Sequence, residues 1–310
     1  MNYQEDVARG KDWTFYLGDS VKRVDEIESN SVGLSVFSPP FPGMYVYTNS
    51  EHDMGNVQSV EDMVEHFRYL MGKDKLLRIM MPGRHAMIHL TQGVAQKGRD
   101  GYIGLKDFRG SVIRMMEGEG WIYYGEIAIQ KNPQVKAIRT KDRGLMFKTL
   151  ANDSSHMHVA LADYVLQFRK PGENLYPIRA GISTKYDNPD GWITNEEWIE
   201  WAHPIWTDIN ETNVLNVTQA RDTNDERHLC PLQLDVIERC IKLWSNPGEV
   251  VFSPFGGIGS EGYMALKLKR KAILVELKES YWKSGIANLE RASQESSQKT
   301  LFDLMIGEEL

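Results

Sequence analysis

Between Glu249 and Glu276 the sequence allows few architectures. Glu249-Val250-Val251-Phe252 is a short apolar strand running into Ser253-Pro254-Phe255-Gly256-Gly257-Ile258-Gly259-Ser260. A helical segment from Glu261 to Lys271 follows, and then a second strand, Ala272-Ile273-Leu274-Val275, which ends on Glu276. Glycines between a strand and a helix let backbone approach a ligand closely and aim the helix N-terminus at it. An acidic residue at the tip of the next strand, about twenty residues on, is where Rossmann-like folds hold a ribose diol.

A second stretch lies far upstream. The apolar run Val32-Gly33-Leu34-Ser35-Val36-Phe37 reads as a buried strand and stops at Ser38-Pro39-Pro40-Phe41. Two prolines cannot continue a sheet ladder, so the chain leaves the sheet there in a stiff conformation. One strand end thus carries a serine hydroxyl, a proline carbonyl and a phenyl face. The hydroxyl and carbonyl can both accept hydrogen bonds from one amino group, and the ring can stack, which suits a flat heterocycle with an exocyclic amine.

Taken together the two stretches resemble the motifs of the amino-group DNA methyltransferases, (D/N/S)-P-P-(Y/F) and F-x-G-x-G. The order, catalytic motif first and glycine motif last, is similar to the circularly permuted beta class, and the resemblance covers residues 13 to 292. It implies an α/β, Rossmann-like class I methyltransferase sheet with helices on both faces and an inserted target-recognition region. S-adenosylmethionine is then the methyl donor, with no metal. The implied catalytic residues are Ser38, Pro39, Pro40 and Phe41. The implied cofactor contacts are Asp19, Ser38, Phe255, Gly257, Gly259, Ser260 and Glu276, joined by His228 and Pro231 from a looser match at Glu226–Gln233. Ser253 stands where the family commonly has Asp. Asp19 also reads, from residues alone, as a helix N-cap.

Composition raises one objection. The formal charge is −7, whereas nucleic-acid-binding proteins are usually basic. Between residues 131 and 148, however, Lys131, Lys136, Arg139, Lys141, Arg143 and Lys148 face Asp142 alone. Cations gathered in one loop of an acidic chain are what phosphate contacts require. Those six, with Tyr45 and Tyr47 from the aromatic segment after the proline motif, are the expected contacts to double-stranded DNA. At 310 residues and 41% hydrophobic content the chain can bury one large core plus an appended subdomain. Two cysteines, Cys230 and Cys240, form no disulfide framework or zinc pattern, which suits a reducing compartment. The polar N-terminal residues and the lack of any run of eighteen apolar residues indicate neither export nor membrane insertion. A cytoplasmic bacterial or phage enzyme is the resulting expectation, and beta-class likeness makes a homodimer plausible.

Along the chain the expected units are a catalytic half at 12–133, a basic insertion at 134–158 and a returning edge strand at 159–173. A Trp-rich recognition region at 174–227, a cofactor half at 228–292 and a loose tail at 293–310 complete it. Within these, strands are expected at Trp13–Leu17, Ala86–Leu90 and Trp121–Gln130, and helices at Ser59–Lys75, Ile103–Gly118 and Leu232–Leu243. His85 and His89 read as ordinary sheet residues. His156 and His158 fall on one face of an extended chain without a third metal ligand nearby.

The chemistry implied is direct methyl transfer to an exocyclic amine. Hydrogen bonds from the amine to the Ser38 hydroxyl and the Pro39 carbonyl localise its lone pair, and Phe41 stacks on the extruded base. Neither cysteine lies in a Pro-Cys nucleophile motif, which argues against cytosine-C5 methylation. Adenine N6 and cytosine N4 both stay open, as do an RNA or protein-glutamine methyltransferase of the same fold and a catalytically silent DNA-binding relative. A nicotinamide-dependent dehydrogenase would place its glycine motif near the N-terminal start of a mononucleotide half and would leave Ser-Pro-Pro-Phe without a role.

Overall fold

Every residue of Val32–Phe37 is buried, which requires a strand covered on both faces. The computed structural model describes residues 5–41, 57, 59–140, 147–179, 192–216 and 231–297. Its strands are β1 (Asp6–Arg9), β2 (Trp13–Leu17), β3 (Val32–Phe37), β4 (Met80–Thr91), β5 (Gly93–Ala95) and β6 (Gly104–Lys106). The chain continues with β7 (Ile122–Ile129), β8 (Asp163–Arg169), β9 (Ile205–Trp206), β10 (Val250–Ser253) and β11 (Lys271–Glu276). Nine of them form one sheet in the order β1-β2-β11-β10-β3-β4-β8-β7-β9, while β5 and β6 pair separately. The central strands β2, β11, β10, β3 and β4 are mutually parallel. β8 lies antiparallel between β4 and β7.

Alternation divides the core into two layers. Phe15, Leu34, Val36, Met87, Val165, Val251 and Leu274 belong to one cluster, together with the helices Leu234–Trp244, Ser260–Lys267 and Glu279–Ser297. Their strand neighbours Tyr16, Phe37, Ile88, Leu166, Phe252 and Val275 belong to the other, with the helices Val60–Met71 and Phe108–Gly118. Period two along the strands thus sends successive side chains into opposite helical layers. This is the doubly covered α/β sheet that the motifs implied.

Several expectations need correction. The strand at 159–173 is no sheet edge: β8 has partners on both sides, and five of its seven residues are buried. The expected helix at Ile103–Gly118 opens with β6 and starts only at Phe108, where the Asp107 side chain accepts from Gly110 N at 2.8 Å. The helix after the glycine turn stops at Lys267, and Lys271 already belongs to β11. The basic stretch is not simply a loop. Asn132 accepts from the Gln134 and Val135 amides at 3.0 and 3.2 Å, Pro133 sits at the first helical position, and Pro133–Thr140 is helical. The tail does not loosen at Ser293 either. The last helix continues to Ser297 because Leu289 and Ala292 are fully buried and Tyr263 donates to Glu295 at 2.9 Å. In the Trp-rich region, Trp206 is a core residue at 1% exposure, whereas Trp198 lies at the surface.

Candidate active site

Strand order fixes where the site lies. From β10 the chain crosses to β11 on one side, and from β3 it crosses to β4 on the other. The crevice beyond the carboxyl ends of β10 and β3 is therefore the topological switch point, where open α/β sheets bind ligands. Parallel pairing of Phe252 with Ser35 brings the glycine turn and the Ser-Pro-Pro-Phe turn to the same end of adjacent strands. The Ser35 hydroxyl, donating to Phe252 O at 3.1 Å, stitches the two strands together.

On the glycine side, backbone amides converge on β11. Gly256 N donates to Val275 O at 2.7 Å and Gly18 N to Glu276 O at 2.8 Å. The Glu276 carboxylate accepts from Gly257 N and from Lys278 N, each at 2.8 Å, so both its oxygens are oriented by main chain. Gly257 has φ +50 and a Cβ there would meet nothing within 4 Å, so the turn opens onto space. Gly256 is the opposite case: a Cβ would stand 2.8 Å from Phe15 and 3.1 Å from Leu274. The Ser253 and Ser260 hydroxyls are buried and make no hydrogen bond with protein. Buried polar groups rarely go unpaired without a ligand, an ion or water to satisfy them.

On the proline side, Pro39 is buried while Ser38, Pro40 and Phe41 are half-buried. Phe41 packs at 6.5 Å and 76° to Phe108. Phe255 rests between Phe37 and Phe67, at 5.7 and 6.2 Å, and ties the two turns together through the second core layer. The Ser38 hydroxyl lies 3.1 Å from His89 Nδ1 and 3.3 Å from the His89 carbonyl. His89 Nε2 in turn lies 3.3 Å from Asp163 Oδ2. Sheet geometry explains that contact. His89 pairs with Val165, so Asp163 is its diagonal neighbour on the same face.

Asp163 is also the partner of two lysines. Lys136 reaches its Oδ1, and Lys131 stands 3.2 Å from its Oδ2 and 3.7 Å from Glu211. Burial alone would raise the Asp163 carboxyl, but the hydrogen bond from His89 and the charges of Lys136 and Lys131 outweigh it and hold the group far below the usual carboxylate range. His85, four residues before His89 on β4, has a different fate. Burial and then the charges of Arg169 and Arg84 lower it to about 4, and it meets Gln167 at 3.3 Å, away from the proline turn.

A family model described as DNA methylase, of the N6/N4 methyltransferase type, matches residues 32–288, most of the chain. The chain belongs to that family. This methyltransferase is 25% identical over 285 residues to the type II methyltransferase M.MjaI of Methanocaldococcus jannaschii, covering 85% of this chain and 86% of that one. Its fold is similar to that of TTHA0409 from Thermus thermophilus solved with S-adenosyl-L-methionine, at TM-score 0.62 and 20% identity, covering 89% and 94% of the two chains. It is also similar to the cytosine-N4-specific PvuII DNA methyltransferase, at TM-score 0.62 and 17% identity over 95% of each chain. The protein is thus an S-adenosylmethionine-dependent DNA methyltransferase of the amino-group type.

Of the residues singled out from sequence, Ser38, Pro39, Pro40, Phe41, Asp19, Phe255, Gly257, Gly259, Ser260 and Glu276 all lie around the switch-point crevice. Asp19 does cap the helix at Ser20–Arg23, accepting from Val21 N at 2.9 Å, and this fixes its carboxylate beside the Gly18–Glu276 contact. Gly259 is the helix N-cap with φ +84, where a Cβ would press on Gly285 backbone at 3.3 Å. Pro231 precedes a helix whose N-terminus points to this same end of the sheet. Lys131 and Lys136 are corrected: each is 8% exposed and committed to Asp163, so neither reaches a phosphate. Tyr45, Tyr47, Lys141, Arg143 and His228 lie outside the described residues, as do the side chains of Arg139 and Lys148.

His89 and Asp163 carry no sequence signal of a shared site, because they join Ser38 only through strand pairing. Gln233, the last residue of the loosely matched stretch, is not among the expected contacts. It is the N-cap of the helix Leu234–Trp244, and its buried Oε1 has no protein partner. Among the described residues no group of three or more His, Cys, Asp and Glu side chains could hold a metal ion. Nor is any described helix long and apolar enough to cross a membrane.

Proposed function

We propose that the enzyme methylates the exocyclic amino nitrogen, adenine N6 or cytosine N4, of a base flipped out of double-stranded DNA at a specific sequence. The observation that carries this reading is the placement of Ser38-Pro39-Pro40-Phe41 beside the glycine turn at the switch point of the sheet. A base inside a duplex cannot enter such a crevice, so extrusion precedes chemistry.

The residues fit S-adenosylmethionine. Glu276, oriented by two main-chain amides, would take the ribose diol, since a carboxylate can accept about four hydrogen bonds. The open space at Gly257 would let the cofactor approach the backbone, and the unpaired Ser260 hydroxyl sits at the same helix N-terminus. Asp19 would stand at the adenine, while Gln233 and Pro231, at the neighbouring helix N-terminus, would face the methionine end. When bound, the cofactor supplies a methyl group already activated on a sulfonium.

The remaining work is done by this chain. The Ser38 oxygen and the Pro39 carbonyl accept the two amine hydrogens, which draws the nitrogen out of conjugation with the ring and localises its lone pair. Phe41 holds the ring plane. Buried Cys240, its thiol pushed up by desolvation, offers no nucleophile, and direct transfer needs none. DNA backbone contact is assigned to Arg139, Lys141, Arg143 and Lys148, with Tyr45 and Tyr47 facing the flipped base or the hole it leaves. Target recognition is assigned to residues 174–227. No metal enters the reaction as proposed, and a homodimer in the cytoplasm is the assembly we expect.

Mass spectrometry of nucleosides from unmethylated DNA incubated with enzyme and S-adenosylmethionine tests the reading. N6-methyladenine or N4-methylcytosine supports it and names the base. Methylation of RNA or protein with none on DNA overturns it, and light scattering decides the assembly.

A further inference from the structure

Groups that the proline motif does not contain converge behind Ser38. His89 Nδ1 is 3.1 Å from the Ser38 hydroxyl, His89 Nε2 is 3.3 Å from Asp163 Oδ2, and Asp163 is held by Lys136 and Lys131. With Ser38 they come from four places in the chain: the end of β3, the last part of β4, the start of β8 and the segment after β7. His89 and Asp163 are 8% and 4% exposed, so each contact is sheltered from bulk water.

We propose that His89 is a positioning residue that acts through Ser38 and accepts the proton released by methylation, with Asp163 setting its tautomer. The inference rests on the reading of Ser38 as a hydrogen-bond acceptor for the target amine. Asp163 is ionised, because its low proton affinity is enforced by His89 and two lysines. A carboxylate can only accept, so Nε2 must carry the imidazole hydrogen and Nδ1 presents its lone pair to Ser38. The Ser38 hydrogen is then drawn toward His89, where the ring nitrogen and the His89 carbonyl at 3.3 Å are both acceptors. The remaining Ser38 lone pairs face the crevice, which is what an amine donor requires.

The same line of atoms carries the product proton. When the amine lone pair forms the nitrogen–carbon bond, the sulfonium carbon–sulfur bond breaks with its electrons on sulfur, and the nitrogen becomes cationic. That nitrogen passes a proton to Ser38 Oγ while Ser38 passes its own to His89 Nδ1. The methylated amine is left neutral and the imidazolium lies against the Asp163 carboxylate. Opening of the crevice on product release returns the proton to water. The charged groups facing the ring are Asp163 from β8, Lys136 from Pro133–Thr140 and Lys131 after β7, with Glu211 beyond Lys131.

The test compares wild type, His89→Gln, His89→Ala, Asp163→Asn and Ser38→Ala on DNA from a methylation-deficient host. Single-turnover rates are followed against pH, with S-adenosylmethionine affinity and melting temperature measured on each variant. Nitrogen NMR of enzyme labelled at histidine reads the tautomer without turnover. We expect the wild-type rate to fall on an acid limb, and we expect both His89 variants to lose that limb and about 10²-fold in rate. Cofactor affinity should stay within threefold, and imidazole in solution should restore His89→Ala but not Ser38→Ala. The NMR of wild type should show Nε2–H, and Asp163→Asn should redistribute the tautomers. A His89→Gln enzyme within threefold of wild type with its acid limb intact, or an Nδ1–H tautomer in wild type, overturns the inference. If His89→Gln melts early, the wild-type NMR still decides. Absence of methylated DNA with wild type would instead remove the reading beneath it.

Discussion

The two sides of the crevice are built by different means. On the glycine side, strand, turn, helix and acid follow one another within a single stretch, and the contacts that orient Glu276 come from Gly257 and Lys278, its neighbours in the same unit. On the proline side, Ser38 is completed by His89, Asp163, Lys136 and Lys131, drawn from three later parts of the chain. On the proposed reading the first side binds the cofactor with main chain and one carboxylate, and the second handles an amine and its proton with side chains whose charge and tautomer are set by burial. Damage should therefore read out differently on the two sides.

The largest effect is expected at Ser38. Ser38→Ala removes the proposed acceptor for the target amine, and single-turnover methylation should fall about 10³-fold while cofactor affinity changes by less than threefold. A parallel loss of cofactor affinity would mean that the two sides are one site and the contrast is false.

Lys136 gives the next largest effect. Removing one of the two lysines beside Asp163 leaves that buried charge balanced by Lys131 alone, so Lys136→Met should cost on the order of 2 kcal/mol in chemical denaturation. The slope of DNA affinity against salt should not change, since a buried lysine neutralises no phosphate. A slope reduced by about one would return Lys136 to the DNA surface.

Gly257 and Gly256 then separate binding from packing within the glycine side itself. Gly257→Ala adds a methyl group into open space but at φ +50 also carries about 1 kcal/mol of backbone strain, so a small loss of stability should accompany a loss of S-adenosylmethionine affinity of about tenfold in titration calorimetry. Gly256→Ala drives a Cβ to 2.8 Å from Phe15 and should destabilise the fold by about 1–3 kcal/mol. Equal affinity losses without a stability difference would show that the turn is not divided in this way.

This division also explains what could be read from the sequence. Strand, glycine turn and acid are local, so the turn and Glu276 could be read from spacing, with Gly257, Gly259 and Ser260 picked out by the family resemblance, and two prolines after an apolar run marked the end of β3. His89 could not be separated from His85: both are histidines of one parity on one strand, and only the register of β8 puts a carboxylate beside one and Gln167 beside the other. The lysines at 131 and 136 looked like phosphate ligands because charge is visible in sequence and burial is not. Asn132-Pro133 was the available signal, an N-cap followed by a first-turn proline. It predicts a helix that can fold Lys136 back onto the sheet.

The last effect, read against pH, is expected at Glu261, which follows Ser260 at the start of the helix beneath the glycine turn. It is buried, and desolvation first, then the charge of Glu276, raise its carboxyl to about 8. A raised group binds its proton more tightly in the folded than in the unfolded chain. Its stabilising contribution is therefore complete below the ordinary value of 4.5 and is lost as pH rises through about 8. Wild-type melting temperature should drift downward between pH 5 and 9. Glu261→Gln, which cannot ionise, should flatten that drift and melt higher than wild type at pH 8.5. Glu276→Gln deletes a negative neighbour and so eases ionisation of Glu261 in the folded chain. Its drift should start at the same pH, level off earlier and be smaller in total, because burial alone then raises the group. A Glu261→Gln variant that keeps the full wild-type drift would place the titration elsewhere, and the glycine side would then hold its ligand with no buried proton of its own.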